Sequence, residues 1–385
     1  MAALLLLILI HSDRLTACPL PQILRKNLHN IENGTLMKTL LLTGGAGFIG
    51  SNFVEMAVQR GHHVVVLDSM TYAGHRENLD SIPQRTASHP GSWELVIGDI
   101  RDSALVPELL KKNQCSALLN FAAESHVDRS ITGPSAFIDT NILGTYNLLQ
   151  AAREYVDTLP AGSPLKAQFR YLQVSTDEVY GALGDTGKFS ETTPYAPNSP
   201  YSASKAAADH LVRAWHHTYG LNTVTTNCSN NYGPKQFPEK LIPHMIQCAL
   251  AGKTLPVYGK GENVRDWIYV KDHCAGILLA LEKGKAGETY CFGGNSERKN
   301  LDVVHALCRT LDELKPRADK KSYAEQIHFV QDRAGHDWRY AIDDSRAQRE
   351  LGFTRTMADF EQGLRSTLRW YLENSAWVEQ VLKKG

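Results

Sequence analysis

Short apolar runs alternate with longer amphipathic stretches along the chain from Met37 to about Cys228. The runs are rich in Leu, Val and Ile and end in glycine or polar residues, which is typical of buried parallel strands. The predicted strands are Leu40–Thr43, His63–Asp68, Trp93–Gly98, Ala117–Phe121, Phe169–Ser175 and Asn222–Cys228. The predicted helices between them are Ser51–Arg60, Ser103–Asn113, Ser135–Tyr155 and Tyr201–Tyr219. This alternation predicts an α/β fold with a doubly wound parallel sheet, in which residues 222–228 form the last strand.

The regular alternation ends after Asn230. We predict a polar turn at Asn230–Pro234, and after it a looser series of elements. These are helices at Glu239–Ala251, Asp272–Lys283, Leu301–Leu314 and Met357–Asn374, and strands at Leu255–Tyr258 and Glu288–Phe292. The sequence therefore predicts a sheet domain over residues 37–229 and a smaller C-terminal lobe, mainly residues 230–385, that caps it.

Residues 1–36 differ from the rest of the chain. The apolar run Leu4–Ile10 is too short to span a bilayer, and it resembles the core of a signal peptide. However, no Lys or Arg precedes this run, and Leu15–Cys18 is only loosely similar to a cleavage site. Since Met37 begins a complete first strand, we expect residues 1–36 to be a disordered, dispensable extension, with export as the alternative.

Composition excludes some functional classes. The 385 residues include 41 Lys+Arg and 41 Asp+Glu, so the chain lacks the basic excess of a nucleic-acid-binding protein. Its seven cysteines are scattered without a C-x-x-C pair, which favours reduced thiols in a cytoplasmic protein over disulfides or a zinc site. We therefore expect a cytoplasmic protein that binds neither nucleic acid nor a membrane.

A glycine-rich turn follows the first predicted strand. Gly45, Gly47 and Gly50 satisfy G-x-G-x-x-G between a strand and a helix, where backbone N–H groups can approach a pyrophosphate. Asp68 ends the next strand, where a carboxylate would accept the adenosine ribose hydroxyls and repel a 2′-phosphate. The pattern predicts a Rossmann-like domain that binds NAD in preference to NADP.

Candidate reactive residues occur in two places, directly after the predicted strand Phe169–Ser175 and at the start of the predicted helix Tyr201–Tyr219. Thr176, Asp177 and Glu178 come directly after a strand, and adjacent carboxyls can act as an acid and a base when their environments differ. Tyr201 and Lys205 are four residues apart on one helical face, and we expect the ammonium to lower the pKa of the phenol. The alternative interpretation is an exposed turn with solvated charges.

With these residues in view, the chain from Met37 to about Tyr371 resembles the extended short-chain dehydrogenase/reductase superfamily. Within it the resemblance is to the NAD-dependent epimerase/dehydratase family, and specifically to nucleotide-sugar 4,6-dehydratases. The segments that carry it are Thr43–Asn52, Tyr72–Gly74, Glu77–Leu79, Phe121–Ile131, Ser175–Gly181, Tyr195–Ala206, Asn230–Pro234, Phe237–Pro243, Val257–Val270 and Asp332–Tyr340. Residues 1–36 have no counterpart in the family, and the loop between Tyr180 and Tyr201 is short.

The resemblance implies a role for each reactive residue. Tyr201 takes the proton of the sugar 4-hydroxyl, Lys205 holds the cofactor ribose, and Thr176 bonds near the same hydroxyl. Asp177 protonates the departing 6-hydroxyl, and Glu178 removes the C5 proton. Hydride passes from C4 to NAD and returns to C6, so NAD is restored in each turnover.

The resemblance also implies two sets of binding residues. The cofactor set is Gly44, Gly47, Phe48, Ile49, Gly50, Asp68, Ser69, Met70, Thr71, Asp99, Ile100, Phe121, Ala122, Ala123, Ser125, Thr140, Tyr201, Lys205 and Asn231. The substrate set is Ser125, Thr176, Asn230, Lys240, Leu241, Pro256, Val257, Tyr258, Arg265, Asn295, Asp332, Arg333, Ala334, Gly335 and His336. Arg265 would clamp the diphosphate, with an ion pair to Asp266 as the alternative. His126 and His336 lack the paired spacing of metal ligands, so no metal is expected.

The implied substrate is dTDP-glucose, with UDP- or GDP-sugars as alternatives. A 4-epimerase or a decarboxylase on the same fold usually carries a small or hydroxyl residue at the position of Asp177, because neither performs an elimination. A non-catalytic NAD-binding scaffold is a further alternative, which the complete reactive set disfavours. The superfamily also implies a homodimer joined through the helices Ser135–Tyr155 and Tyr201–Tyr219.

Overall fold

The computed structural model of the protein describes residues 38–84, 86, 90–332 and 335–384. The expectation that residues 1–36 form an extension lies outside these residues. The strands are β1 Thr39–Thr43, β2 His63–Asp68, β3 Ser92–Ile97, β4 Ala117–Asn120, β5 Arg170–Thr176, β6 Thr223–Cys228, β7 Asn230–Tyr232, β8 Leu255–Tyr258, β9 Val264–Tyr269, β10 Thr289–Phe292, β11 Glu297–Lys299 and β12 Ile327–Val330.

The helices alternate with the strands through the first six of these. They are α1 Phe48–Gln59, α2 Glu77–Asp80, α3 Leu105–Lys112, α4 Val127–Thr132, α5 Ser135–Phe137, α6 Thr145–Thr158, α7 Pro164–Gln168, α8 Pro200–Tyr219, α9 Leu241–Leu250, α10 Val270–Lys283, α11 Asn300–Leu314, α12 Ser345–Leu351, α13 Phe360–Glu373 and α14 Ser375–Lys384. A π-helical segment, Ile138–Gly144, joins α5 to α6, and 3₁₀ turns lie at Asp177–Tyr180 and Tyr323–Gln326.

The main sheet has seven strands in the order β10-β6-β5-β4-β1-β2-β3, and neighbouring strands are parallel throughout. Without β10 this is the 3-2-1-4-5-6 order of a doubly wound dinucleotide-binding fold, with its switch point between β1 and β4. The predicted α/β fold with a doubly wound parallel sheet is therefore confirmed.

Two sequence predictions about this region are wrong. The sheet does not end at β6, because β10 pairs with it in register Thr289↔Thr225 to Phe292↔Cys228. The segment after β6 is also not simply a turn, because Asn230–Tyr232 forms β7, which pairs with β9. A strand of three or four residues leaves too little periodicity to identify its partner from sequence.

The later elements form smaller sheets over a core of their own. One sheet has the order β11-β9-β7, and another pairs β12 with β8. Apolar side chains from α9, α11 and α13 pack there, among them Ile246, Leu307 and Leu364, each fully buried. The six cysteines in the described part of the chain are free thiols. In that same part, no helix combines the length and the apolar character needed to cross a membrane.

Candidate active site

A cavity of about 590 Å³ lies along the carboxyl ends of the main-sheet strands. Its walls include the residues that follow β1, β2, β3, β4, β5 and β6, together with residues from α5, the π segment and α8. Because parallel strands all present their carboxyl ends at one edge, segments far apart in sequence meet here. A cavity of this size and position is typical of a dinucleotide and substrate site.

The glycine turn shapes one wall of the cavity. Gly44 has a φ of +71°, and a Cβ there would lie 2.6 Å from the backbone nitrogen of Ala122. A Cβ on Gly50 would collide with the carbonyl oxygen of Gly44, so the helix packs against the turn only if this residue is glycine. Helix α1 begins after Gly47 without a side-chain cap, which leaves its first N–H groups available to an anion.

Asp68 lies at the end of β2 and is 8% exposed. Its two carboxylate oxygens accept backbone hydrogen bonds from Ala46 at 2.9 Å and from Met70 at 2.8 Å. Burial raises the pKa of Asp68, and these two hydrogen bonds oppose the rise. The carboxylate is thus held beside the glycine turn, where ribose hydroxyls are expected.

Asp99, after β3, forms a two-point ion pair with Arg101. The Arg101 guanidinium lies 3.0 and 2.7 Å from the two carboxylate oxygens, and it lowers the pKa of Asp99. Both residues line the cavity. The sequence analysis placed Asp99 here but did not place Arg101, and the available signal was that Arg101 lies two residues after Asp99, in the segment that follows β3.

The end of β5 delivers the candidate acid and base. Thr176 donates a hydrogen bond to Asp177 Oδ1 at 3.4 Å and accepts one from the Glu178 backbone at 3.3 Å. Asp177 is 2% exposed, and its pKa is raised well above the usual value by burial, by Glu178 and by Asp266, while Arg265 opposes the rise. A raised pKa lets a carboxyl keep its proton to higher pH, which suits a general acid.

Helix α8 carries Tyr201 and Lys205, and its start is well defined. Ser199 and Ser202 form a reciprocal capping box, and Pro200 occupies the first helical position. Tyr201 and Lys205 are both buried, and Lys205 Nζ donates to the carbonyl oxygen of Val174 at 2.8 Å.

The expected lowering of the Tyr201 pKa is wrong for this structure. Burial is the largest influence and raises the pKa of Tyr201 well above its usual value, with Glu178 and Cys228 adding to the rise and a hydrogen bond with Thr176 opposing it. Burial also lowers the pKa of Lys205. Sequence spacing identified the neighbouring ammonium but not the depth of the site.

The π-helical segment fixes a further wall. Asn141 lies within it and is 2% exposed. Its side chain accepts from the Glu124 backbone at 2.9 Å and donates to Ser204 at 2.8 Å, so it joins the loop after β4 to α8. Such π segments are frequent at functional sites. The sequence predicted one continuous helix here and gave no signal for the insertion.

The structure brings most of the expected residues together. All members of the reactive set and every cofactor residue except Met70 line the cavity. The substrate residues in its lining are Ser125, Thr176, Asn230 and Lys240. Further lining residues that the resemblance did not assign are Leu67, Ala73, Gly74, Gly98, Arg101, Glu124, Ser135, Ala136, Asp139, Val174, Ser175, Cys228, Ser229, Gln236, Phe237 and Glu239.

The remaining substrate residues lie outside this lining. Tyr258 and His336 are in edge contact at 6.3 Å between ring centroids, and His336 lies 2.7 Å from Asp332. Asn295 accepts a hydrogen bond from Lys188 at 2.8 Å. Also outside the lining are Leu241, Pro256, Val257 and Gly335, whereas Arg333 and Ala334 are outside the described residues.

Arg265 is 5% exposed and bound to backbone carbonyls. Its guanidinium donates to Val264 at 2.8 Å and to Asp337 at 2.9 Å, and it lies 4.3 Å from the centre of the Tyr340 ring. Its charge also reaches Asp177, whose pKa it lowers. The diphosphate-clamp role remains a prediction.

Comparisons with known proteins agree with this geometry. The sequence pattern of the family described as GDP-mannose 4,6 dehydratase matches residues 41–367. The dTDP-glucose 4,6-dehydratase of Xanthomonas campestris pv. campestris is 60% identical over 346 residues, covering 90% of this chain and 96% of that protein. The dTDP-glucose 4,6-dehydratase of Salmonella typhimurium is 52% identical, covering 89% and 95%.

Solved structures give the same result. The dTDP-glucose 4,6-dehydratase of Streptomyces venezuelae, with NAD and dTDP bound, has a TM-score of 0.77 at 45% identity and covers 89% of this chain and 99% of its own. The enzyme of Bacillus anthracis in complex with NAD has a TM-score of 0.76 at 42% identity, with the same coverage. The chain therefore belongs to the GDP-mannose 4,6 dehydratase family, in the branch formed by the dTDP-glucose 4,6-dehydratases.

Proposed function

We propose that the chain is an NAD-dependent hydro-lyase that converts dTDP-glucose to dTDP-4-keto-6-deoxyglucose and water, feeding deoxysugar (rhamnose-type) synthesis. The observation that carries this proposal is that Thr176, Asp177, Glu178, Tyr201 and Lys205 all line one cavity. The high identity to enzymes of that name over most of the chain supports it.

The residues divide the reaction into four proton transfers. Tyr201 accepts the 4-hydroxyl proton while hydride leaves C4, which gives a ketone at C4. The ketone acidifies the C5–H bond, so Glu178 can remove that proton. Asp177 then gives its proton to the departing 6-hydroxyl, which leaves as water. Bound NAD would hold the hydride between its departure from C4 and its return to C6. Glu178 returns its proton to C5 as the hydride reaches C6, which gives the 4-keto-6-deoxy sugar.

The charge environment supports these assignments. Asp177 has the raised pKa that an acid needs, whereas Glu178 is only half-buried. Tyr201 needs positive charge to become a phenolate, because burial opposes its ionisation. Lys205 and the oxidised nicotinamide ring are the two cations expected at this point.

The residues that line the cavity fit the cofactor. The uncapped N-terminus of α1 suits a pyrophosphate, and Asp68 suits the adenosine ribose. The substrate residues around Tyr258 and His336 would then contact the nucleotide part of the sugar nucleotide, and Arg265 its diphosphate. This part of the assignment follows the family resemblance.

The test is direct turnover. The purified chain is incubated with dTDP-glucose, and the 4-keto-6-deoxy sugar is detected by its absorbance in alkali and by mass spectrometry. UDP-glucose and GDP-mannose, tested in parallel, report on the nucleotide. Formation of the 4-epimer without loss of water, or no turnover of any of the three, would contradict the proposal.

We also propose that the protein is a homodimer. The π segment and α6 expose Leu143 (51%) and Tyr146 (47%), and α8 exposes Tyr219 (47%). Trp215, on α8, contacts both tyrosine rings edge-on. An apolar surface shared by two adjacent helices suits pairing with the same helices of a second copy.

Two further assignments rest on sequence features. We place the protein in the cytoplasm, because its cysteines match those of a reducing compartment. We also place the division between a cofactor domain and a mainly substrate-binding lobe at residue 230, with β10 of the later segment joining the main sheet.

A further inference from the structure

Asp209 is a buried carboxylate one helical turn beyond Lys205 on α8. It is 5% exposed and lies outside the lining of the cavity. Its Oδ2 atom accepts a hydrogen bond from Ser175 at 2.6 Å and another from Tyr195 at 3.1 Å. The reaction assigned above makes no use of Asp209, although burying a carboxylate is costly.

These contacts join three pieces of the site. Ser175 precedes Thr176 on β5, Tyr195 belongs to the loop before α8, and Asp209 is on α8 itself. Lys205 makes a parallel connection, because its ammonium bonds the carbonyl of Val174 on the same strand. The end of β5 is therefore held to α8 by two neighbouring hydrogen bonds, one to the Asp209 carboxylate and one from the Lys205 ammonium.

Each charge has the other as its counter-charge. Burial lowers the pKa of Lys205, and Asp209 is the largest influence that raises it. Burial raises the pKa of Asp209 to about 6, and Lys205 is the largest influence that lowers it. Each group thus opposes the effect of burial on the pKa of the other, and either charge would be poorly tolerated alone.

The other titratable groups facing the pair are tyrosines and a thiol. Tyr171, Tyr180 and Tyr195 face Asp209, and burial raises the pKa of each. Cys228 faces Lys205, and burial raises its pKa as well. All four are neutral when protonated, so the balance of charge rests on Asp209 and Lys205.

We propose that Asp209 is a positioning residue for the dehydratase reaction, which keeps Lys205 protonated and holds the β5 end, with Thr176, Asp177 and Glu178, in register with Tyr201. The expected effect on catalysis rests on the proposed function. The expected effect on the pKa of Lys205 does not, and it can be measured without turnover.

The direct experiment follows Lys205 by NMR in protein labelled with ¹³C-lysine, as the enzyme is purified. Lys205→Arg identifies the Lys205 signal. Asp209→Asn keeps the size of the side chain and an accepting oxygen but removes the charge. The Lys205 titration should move roughly one to three pH units lower in this variant, the usual effect of losing a nearby opposite charge on the same helical face.

Kinetics provide the second readout. In Asp209→Asn, kcat should fall roughly ten- to a hundred-fold, as for other groups that orient a functional residue. KM for dTDP-glucose should stay within about two-fold, because Asp209 is not in the lining, and the alkaline limb of the pH–rate profile should move lower with the Lys205 titration. Ser175→Ala and Tyr195→Phe remove one hydrogen bond each but keep the charge, so both should retain the wild-type alkaline limb.

An unchanged Lys205 titration in folded Asp209→Asn would overturn the proposal. So would an equal shift of the alkaline limb in Ser175→Ala or Tyr195→Phe, which would indicate a structural effect. If Asp209→Asn does not fold, Asp209→Glu serves instead, and the retained charge should leave the Lys205 titration in place; a lower titration would again contradict the proposal. Failure of the wild-type protein to turn over any nucleotide sugar would refute the proposed function and leave the Lys205 measurement intact.

Discussion

The carboxylate of Asp68 accepts the backbone N–H of Ala46 at 2.9 Å, so the residue that ends β2 also holds the glycine turn that follows β1. The segments are 22 residues apart in sequence. Gly74 approaches the same carboxylate so closely that a Cβ there would lie 2.7 Å from Oδ1. Asp68 is therefore both a candidate ribose ligand and a structural support of the pyrophosphate turn.

Asp68→Ala should weaken NAD binding and narrow the preference for NAD over NADP. The loss of charge-assisted hydrogen bonds predicts a decrease in NAD affinity of roughly ten- to a hundred-fold. Calorimetric titration of cofactor-stripped protein with NAD and with NADP measures both effects. Asp80→Ala, which removes an exposed carboxylate paired with Arg76, is the control. Retention of NADP by the wild-type protein on purification would contradict the assignment.

Asp177→Asn and Glu178→Gln should block different steps. Neither carboxyl is needed for oxidation at C4, so Asp177→Asn should still reduce bound NAD when dTDP-glucose is added. The reduced cofactor should persist, because no unsaturated sugar forms to accept hydride at C6. Each variant should lose roughly 10²- to 10⁴-fold in turnover, the usual contribution of a positioned acid or base. Absorbance of the reduced nicotinamide and product formation are followed together.

A substrate with fluoride at C6 separates the two roles. Fluoride leaves without an acid, so it should restore much of the rate in Asp177→Asn. It should not restore Glu178→Gln, in which removal of the C5 proton is the missing step. Equal rescue of both variants, or of neither, would show that the roles are assigned wrongly.

Leu143→Glu should convert the proposed dimer to monomers. The side chain is 51% exposed on the surface proposed as the dimer interface, and a buried unpaired carboxylate is strongly unfavourable. Ile97→Glu provides a matched control, since Ile97 is 69% exposed on β3 and should tolerate the change. Sedimentation at micromolar concentration gives the mass. A wild-type mass near 42.8 kDa, that of one chain, would count against the dimer.

His273 should make stability fall as the pH decreases. Burial lowers its pKa from 6.5 to about 3, so the folded protein holds it neutral while the unfolded chain takes up a proton below about pH 6.5. The contribution of neutral His273 to the free energy of unfolding is therefore complete above pH 6.5. On acidification the free energy of unfolding falls by ~1.4 kcal/mol per pH unit until about pH 3.

Urea unfolding between about pH 4 and about pH 7 measures this dependence, because most of the titration falls in that interval. His273→Asn cannot take up the proton and should show a shallower decline, whatever its stability at pH 7. His62→Asn should act in the same direction, because burial also lowers the pKa of His62, to about 4. Parallel declines in the wild type and both variants would refute this account.

Local patterns predicted most of the framework. The strand bounds of His63–Asp68 and Leu255–Tyr258 were correct because apolar alternation and punctuation are local properties. The pairing of Thr289–Phe292 with β6 was missed, because a partner strand more than 60 residues away leaves no local mark. The π segment was missed because its seven residues are too few for the change of helical period to be visible in the apolar pattern.

In the candidate site, too, some features were predictable from local sequence and others depend on the folded surroundings. Spacing identified Asp68, Tyr201 and Lys205, which line the cavity as expected. The direction of the Tyr201 pKa was wrong, because sequence shows which charge is near a group but not how little water reaches it. Asp209 escaped notice because a charged residue within a helix is ordinarily on its exposed face.

The π-helical segment Ile138–Gly144 holds Asn141, and Tyr146 is exposed in the first turn of α6, the helix that continues this segment. One residue corresponds to about 100° of rotation in a helix. Deleting a single residue from this segment would therefore turn every side chain beyond it by more than a quarter circle about the helix axis. Either the Asn141 amide would lose its hydrogen bonds to Glu124 and Ser204, or Tyr146 would leave the exposed surface that it now shares with α8. The length of this seven-residue segment thus sets the angle between the Asn141 amide in the site and the exposed aromatic surface proposed to contact a second copy.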